Sequence, residues 1–147
     1  MTRLRTVPGN SFDALLNGAP GALEADRRMR RQIQTGINSR WYAMIGVAVA
    51  GLLRCERFVD HLRGPLEKSF AVQLAADWTK LPLTDEEKAI LAYTEKGTMD
   101  EASVRRHDVN ALRQAGLADK DILLIATAIA YHNYSIRMAA AFDVIPR

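Results

Sequence analysis

The sequence contains a single cysteine, Cys55, among its 147 residues. One thiol excludes a disulfide within the chain, and it excludes any redox reaction that needs two cysteines of the same chain. Sparse cysteine is also typical of proteins from a reducing compartment. We therefore expect a cytoplasmic protein whose fold does not depend on disulfide bonds.

The sequence also lacks a hydrophobic run long enough to cross a membrane. The longest uncharged apolar run, Trp41 to Leu53, has about 13 residues, whereas a spanning helix needs about 20. The first five residues include two arginines and lack the apolar stretch of a signal peptide. We expect no membrane partner, and we interpret residues 39–53 as a buried central helix.

Motifs for metals and common cofactors are missing as well. The three histidines (61, 107 and 132) are far apart in sequence, and there is no cysteine pair to complete a metal site. The sequence has no glycine-rich phosphate loop and no Gly-x-Ser-x-Gly motif. We therefore expect neither a metal nor a cofactor.

Positive charge is present but local. The net charge is +3, and residues 1–40 alone carry seven arginines against three acidic residues. The basic cluster at residues 27–31 is more typical of an exposed helix face, or of ion pairs with a neighbouring subunit, than of a nucleic-acid site. A helix-turn-helix is also disfavoured, because its recognition helix, residues 122–134, would be apolar and without Arg or Lys. We expect no nucleic-acid partner.

The pattern of apolar residues predicts one all-α domain over residues 1–147. Residues 1–21 form an N-terminal arm with a short helix around Phe12, and Gly or Pro separates the later segments. The bundle is predicted to have about six to seven helices, at residues 22–36, 39–53, 54–63, 65–78, 84–97, 103–116 and 119–143. Thr84 and Glu87 form the pattern of a capping box, and Gly116 followed by Leu117 is typical of a Schellman motif. No segment shows the alternation expected of a β-strand.

Residues 39–147 resemble the alkylhydroperoxidase D-like / carboxymuconolactone decarboxylase family, and in particular its peroxidase-related branch. The resemblance covers roughly three quarters of the chain. It is carried by the order and spacing of several short stretches, namely residues 83–87, 93–96, 108–117 and 130–134, with Arg137 one turn after the last. It implies an all-α bundle that assembles as trimers or hexamers, and a peroxidase or antioxidant activity of the peroxiredoxin type.

The resemblance also implies where the redox site would lie. The family's motif is Cys-x-x-Cys followed by His, with a Glu about three turns upstream. On this chain Cys55 takes the first cysteine position, Phe58 takes the second, and Ala43 falls where the acid would be. The two positions at which the family carries His hold His61 and Leu62. The attacking thiol and the acid are thus replaced, and we predict that the two-cysteine peroxidase reaction is lost.

Cys55 and His61 are the candidate catalytic residues. Arg54 and Arg57 flank Cys55 and could lower its pKa, but a lone cysteine is more often a small buried apolar residue. Six helical steps separate Cys55 from His61 by about 120° around the axis, so the two side chains are not predicted to share a face. His61 is either directed at the family's pocket or hydrogen-bonded in an interior or interface.

Further pocket residues are predicted beside these two. Phe58, Leu62 and Ala43 are placed there by the resemblance, and Tyr131, His132 and Asn133 are polar groups in a nearly apolar helix. Buried polar groups need partners, so the last three could instead form a network at a subunit contact.

These observations are compatible with three hypotheses of function. The first is a peroxidase-related enzyme that uses Cys55 alone, with an external thiol as the resolving partner. The second is a cofactor-free acid–base enzyme or a protein that binds a small organic molecule, because replacing a thiol and an acid by Phe58 and Ala43 makes the pocket more apolar. The third is a homo-oligomer without catalysis, which the apolar area of the central and last helices favours.

Overall fold

The computed structural model describes residue 3 and residues 9–146. Within these residues the chain is all-α, and the secondary structure outside the helices is an isolated bridge between Ser11 and Ile145. The α-helices are α1 (Phe12–Leu16), α2 (Ala22–Gly36), α3 (Ser39–Leu52), α4 (Val59–Leu62), α5 (Lys68–Asp77), α6 (Asp85–Met99), α7 (Arg106–Gln114) and α8 (Asp119–Phe142).

The prediction of an all-α protein is confirmed, but the predicted count of about six to seven helices is wrong. The described residues form eight α-helices. The additional helix is the five-residue α1 of the N-terminal arm, which Ser11 caps through its side chain. Phe12, Leu15 and Leu16 are buried in the main core, so the arm belongs to the bundle and not to a separate extension.

Helix α3 is the centre of the bundle, as the uncharged run predicted. Residues 43–51 of α3 are all buried, and the helix packs against α4, α5, α6 and α8. Two glycines allow this close packing. A Cβ at Gly51 would lie 2.2 Å from the carbonyl oxygen of Ala75 in α5, and a Cβ at Gly46 would lie 2.7 Å from the imidazole of His132 in α8.

Local capping signals place several helix ends where the sequence predicts them. Thr84 and Glu87 make both hydrogen bonds of a capping box at the start of α6. Gly116 has a φ of +105°, and Leu117 donates to the carbonyl of Leu112, which gives the predicted Schellman motif after α7.

The segment predicted as one helix at residues 54–63 is divided. Arg54 has a φ of +59° and ends α3, with the Cys55 N–H donating to the Ala50 carbonyl at 2.8 Å. A 3-10 turn over Glu56–Phe58 then leads into the four-residue α4. The left-handed conformation of Arg54 therefore turns the chain, and Cys55 lies in this turn.

The arginine cluster of α2 is largely an exposed helix face. Arg27 and Arg28 pair with Asp13 at 2.6 Å and with Glu24 at 3.5 Å, respectively. Within residue 3 and residues 9–146, no helix is both long and apolar enough to span a bilayer. The same residues contain no group of three or more His, Cys, Asp or Glu side chains placed to hold a metal ion.

Candidate functional site

A cavity of about 390 Å³ lies between α2, α3, α4 and α8. Four of the predicted site residues line it: Ala43 from α3, His61 and Leu62 from α4, and His132 from α8. Pro65 adds apolar surface, and Arg30, Gln34, Ser39 and Tyr42 add polar groups. The cavity therefore coincides with the positions at which the resemblance places the acid and the histidines of the family's site.

Phe58 does not line this cavity. Its ring is buried in the core, and the guanidinium of Arg57 lies over it at 4.5 Å from the ring centroid. The aromatic ring at the second cysteine position thus contributes to packing and leaves no polar or nucleophilic atom there.

Cys55 also lies outside the lining of this cavity. The side chain is buried, and its Sγ–H donates to the carbonyl oxygen of Leu53 at 3.5 Å. Burial raises the pKa of the Cys55 thiol, although Arg57 and Arg137 act in the opposite direction. Because the thiolate is the nucleophile, a raised pKa makes Cys55 less reactive at neutral pH.

His61 and Cys55 therefore do not form a catalytic pair. His61 is exposed at the cavity, whereas Cys55 is buried outside its lining. Within the described part of the chain, the charged groups that act on the Cys55 thiol are Arg57, Glu56 and Arg137.

Tyr131 and Asn133 are the neighbours of His132 on α8, but their side chains point to other sides of the helix. The Tyr131 hydroxyl donates to Asp26 at 3.0 Å, and burial raises the pKa of the Asp26 carboxyl. Asn133 donates to Thr98 at 3.0 Å and accepts from Arg137 at 3.3 Å. Adjacent residues on a helix differ by about 100° in direction, so residues 131–133 face three different environments.

His132 is the most enclosed polar residue of the cavity wall. Its Nε2 lies 3.2 Å from the backbone carbonyl oxygen of Tyr42, and since a carbonyl only accepts, Nε2 carries the proton. Nδ1 is then a bare acceptor, buried and without a hydrogen-bond partner among the described residues. Burial lowers the pKa of His132 to about 4, so the imidazole is neutral at physiological pH.

Tyr42 packs against His132, with the two ring centroids 4.5 Å apart. The Tyr42 hydroxyl is also buried and lacks a hydrogen-bond partner among the residues that the structure describes. Burial raises the pKa of Tyr42 to about 12, so the hydroxyl keeps its proton and can donate it. Two residues of the lining thus each carry a buried polar atom without a described hydrogen-bond partner.

Sequence reasoning missed Tyr42 and the α2 residues Arg30 and Gln34. Tyr42 lies within an uncharged helix and is predicted there as core, and its contact with the His132 ring depends on α8, 90 residues later. Its position next to Ala43 is the signal that could have identified it.

Three larger cavities lie elsewhere among the described residues. One of about 670 Å³ runs along α3, α5 and α6, lined by Val72, Trp78 and Met99 among others. A second, of about 550 Å³, lies beside Asn133 and Arg137. The third, of about 500 Å³, lies between the N-terminal arm and α2. Asn133 is the one predicted site residue in these three linings.

Solved structures show what this fold is similar to. An uncharacterized peroxidase-related protein from Silicibacter sp. TM1040 aligns with a TM-score of 0.79 and 23% identity, over 92% of this chain and 75% of that chain. A protein from Agrobacterium tumefaciens, described as a putative antioxidant defence protein AhpD, aligns at 0.76 with 21% identity, over 100% and 99% of the two chains. The debrominase Bmp8, in complex with 2,3,4-tribromopyrrole, aligns at 0.70 with 19% identity, over 92% and 75%.

The chain therefore has the alkylhydroperoxidase D-like fold that the sequence resemblance predicts. No protein-family model and no curated protein matches the sequence.

Proposed function

We propose that this protein is a peroxidase-related, alkylhydroperoxidase D-like protein that has lost the two-cysteine reaction and binds a small organic molecule. The observation that carries the proposal is the cavity at Ala43, His61 and His132, which is present although the acid and the attacking thiol are not.

The loss of the two-cysteine reaction follows from the residues at two positions. Phe58 offers no sulfur atom to attack a peroxide, and Cys55 is the only cysteine of the sequence. Cys55 is also buried, with a raised pKa. These features count against the one-thiol enzyme as well, since a reactive cysteine needs a lowered pKa and access to its substrate.

Binding of an organic molecule is favoured by the size and lining of the cavity. A volume of about 390 Å³ lies within the range of ligand pockets. Ala43, Leu62 and Pro65 supply apolar surface, and the exposed Gln34, Ser39 and His61 supply polar groups that can orient a ligand. The structure of the debrominase with 2,3,4-tribromopyrrole is a precedent for a compact organic ligand on this fold.

Blocking the cavity tests the proposal. Gln34 and Gln32 are both exposed on α2, but only Gln34 lines the cavity. We expect Gln34→Trp to abolish the binding of small aromatic ligands found by NMR screening, because the indole occupies the cavity mouth. Gln32→Trp should leave that binding unchanged. Ligands that bind both variants equally well would show that they bind elsewhere, and would refute the proposed role of the cavity.

Assembly as a trimer or hexamer stays a prediction, as does a cytoplasmic location. Assembly is supported by the exposed Val72 and Met99, which border the cavity of about 670 Å³ on the far side of α3.

A further inference from the structure

The cavity of about 390 Å³ carries positive charge on one side and no acidic residue to oppose it. Arg30 lines this cavity, whereas the lining contains no Asp or Glu. Arg30 and Gln34 also line a neighbouring cavity of about 370 Å³, whose other lining residues are Arg27 and Arg31. The two cavities therefore share a wall on α2, and a molecule at that wall meets guanidinium groups without a carboxylate in either lining.

The spacing along α2 brings these residues to one face of the helix. Residues 30, 31 and 34 follow residue 27 by three, four and seven positions, and residues at such spacings are neighbours on a helix. Arg28 lies outside both linings. The sequence of α2 thus places three arginines on the side of the helix that borders the two cavities.

Arg30 is the arginine available to a ligand in the cavity of about 390 Å³. It is half-buried, and no carboxylate of the described residues lies within ion-pair distance of its guanidinium. Arg27, in contrast, pairs with the Asp13 carboxylate at 2.6 Å. Burial raises the pKa of Asp26 and Arg30 acts in the opposite direction, but Asp26 accepts from the Tyr131 hydroxyl and lines neither cavity.

From this arrangement we infer that the ligand is a compact organic anion whose carboxylate pairs with the Arg30 guanidinium. A guanidinium binds a carboxylate through two parallel N–H···O bonds, and such charge-assisted bonds are stronger than neutral ones. Gln34 is exposed one turn after Arg30, so its amide can donate to the same carboxylate. The rest of the molecule lies against Pro65, which is exposed, and Tyr42, which is half-buried.

The charges of the lining favour this class of ligand over neutral and cationic ones. A cation would meet Arg30 and find no carboxylate in the lining, and a neutral molecule would gain no ion pair. Arg27 and Arg31 add to the positive potential beside the cavity, which attracts anions from solution. The inference rests on the proposed binding function and names its class of ligand, a small organic carboxylate, with Arg30 as the residue that selects it.

The test compares three planar probes of nearly equal size, which differ in charge at neutral pH. They are 4-fluorobenzoate, an anion, 4-fluorobenzamide, which is neutral, and 4-fluorobenzamidine, a cation, and their binding to the wild-type protein is measured by fluorine NMR titration. We expect 4-fluorobenzoate to bind roughly tenfold more tightly than 4-fluorobenzamide, because only the carboxylate forms charge-assisted bonds with Arg30. The cation should bind more weakly than the amide.

Substitutions on α2 assign this preference to one residue. Arg30→Gln should remove most of it by weakening 4-fluorobenzoate and leaving 4-fluorobenzamide nearly unchanged. Arg28→Gln removes the same charge from the same helix outside both linings, so it should preserve the preference. Arg30→Lys keeps the charge without the planar fork of donors, so it should retain part of the preference.

The melting temperature of each variant shows that it is folded. Arg30 makes no ion pair within the described part of the chain, so Arg30→Gln should melt within a few degrees of the wild type. A second measurement needs no variant. Because Arg30 is only half-buried, salt screens its charge, and the preference of the wild type for 4-fluorobenzoate should shrink as the ionic strength is raised.

The outcomes separate this inference from the proposed function. Equal binding of the three probes, blocked by Gln34→Trp, overturns the carboxylate inference and leaves the binding cavity in place. A preference that survives in Arg30→Gln, or that Arg28→Gln removes to the same extent, likewise overturns it. Binding of no probe in a manner sensitive to Gln34→Trp overturns both.

Discussion

Replacing Gly51 by alanine is expected to destabilise the protein by about 3 kcal/mol or more. The new Cβ would lie 2.2 Å from the carbonyl oxygen of Ala75, and 2.9 Å from its Cα and carbonyl carbon. These neighbours are backbone atoms of α5, so no side-chain rotation can make room, and α3 and α5 must move apart. Overpacking of a core costs typically 1–3 kcal/mol, and a forced separation of two central helices lies at or above that range.

Gly97 provides the matched control for this change. It also lies in a helix, α6, but a Cβ there would be 3.7 Å from Ile129, which is an ordinary contact. Gly97→Ala should therefore stabilise the protein by about 0.5–1 kcal/mol, because alanine reduces the backbone freedom of the unfolded chain. Urea unfolding of both variants measures the difference. A Gly51→Ala protein as stable as the wild type would contradict the close contact between α3 and α5.

Acidification is expected to remove about 3 kcal/mol of stability through His132 alone. Its pKa is about 4 in the folded protein and about 6.5 when the chain is unfolded, and this difference corresponds to about 3 kcal/mol. The unfolded state binds the proton more readily, so stability falls as the pH drops from about 6.5 to about 4 and levels off below. The physical cause is the burial of an imidazole with no solvent to stabilise its charged form.

Carboxyl groups also make the stability depend on pH at acidic pH, and their effect must be separated from that of His132. Burial raises the pKa of Asp26. A raised carboxyl pKa makes the protein less stable as the pH rises past the usual pKa of aspartate, which is the opposite of the effect of His132. Hydrogen bonds lower the pKa values of Asp60, Asp77 and Asp108. The stability that these charged carboxylates contribute is lost as the pH falls through their lowered pKa values.

The variant His132→Gln isolates the effect. Its amide can still donate to the Tyr42 carbonyl, but it does not titrate, so the dependence of the unfolding free energy on pH between about 6.5 and 4.5 should become much flatter. His107→Gln, at an exposed histidine of α7, should leave the dependence as in the wild type. A slope unaffected by His132→Gln would mean that the imidazole is solvated in the folded protein.

The fold was predictable wherever local chemistry decides it. The run from Trp41 to Leu53 has no charged face to present to water. A helix of this kind is stable only when other helices surround it, so its central position was predictable. Thr84 with Glu87, and Gly116 with Leu117, specify helix ends through their own hydrogen bonds. Arg54 was not predictable in the same way, because a non-glycine residue with positive φ is uncommon and carries no sequence signature.

The site was predictable only in part. Ala43, His61 and Leu62 are placed together by the resemblance, and they do line one cavity. His132 lines it too, but its neighbours Tyr131 and Asn133 contact Asp26 and Thr98, because each successive residue of a helix faces a different element. The contact between the Tyr42 and His132 rings depends on packing between α3 and α8, and no local pattern indicates it.

The loss of two-cysteine chemistry at Phe58 and Cys55 is the premise from which the binding role follows. Hydrogen peroxide consumption, measured with dithiothreitol as the reductant for the wild type and for Cys55→Ser, tests it most directly. We expect both proteins to consume peroxide at the rate of the protein-free control. A wild-type rate well above that control, lost in Cys55→Ser, would show that Cys55 sustains peroxide turnover and would contradict a purely binding role for this protein.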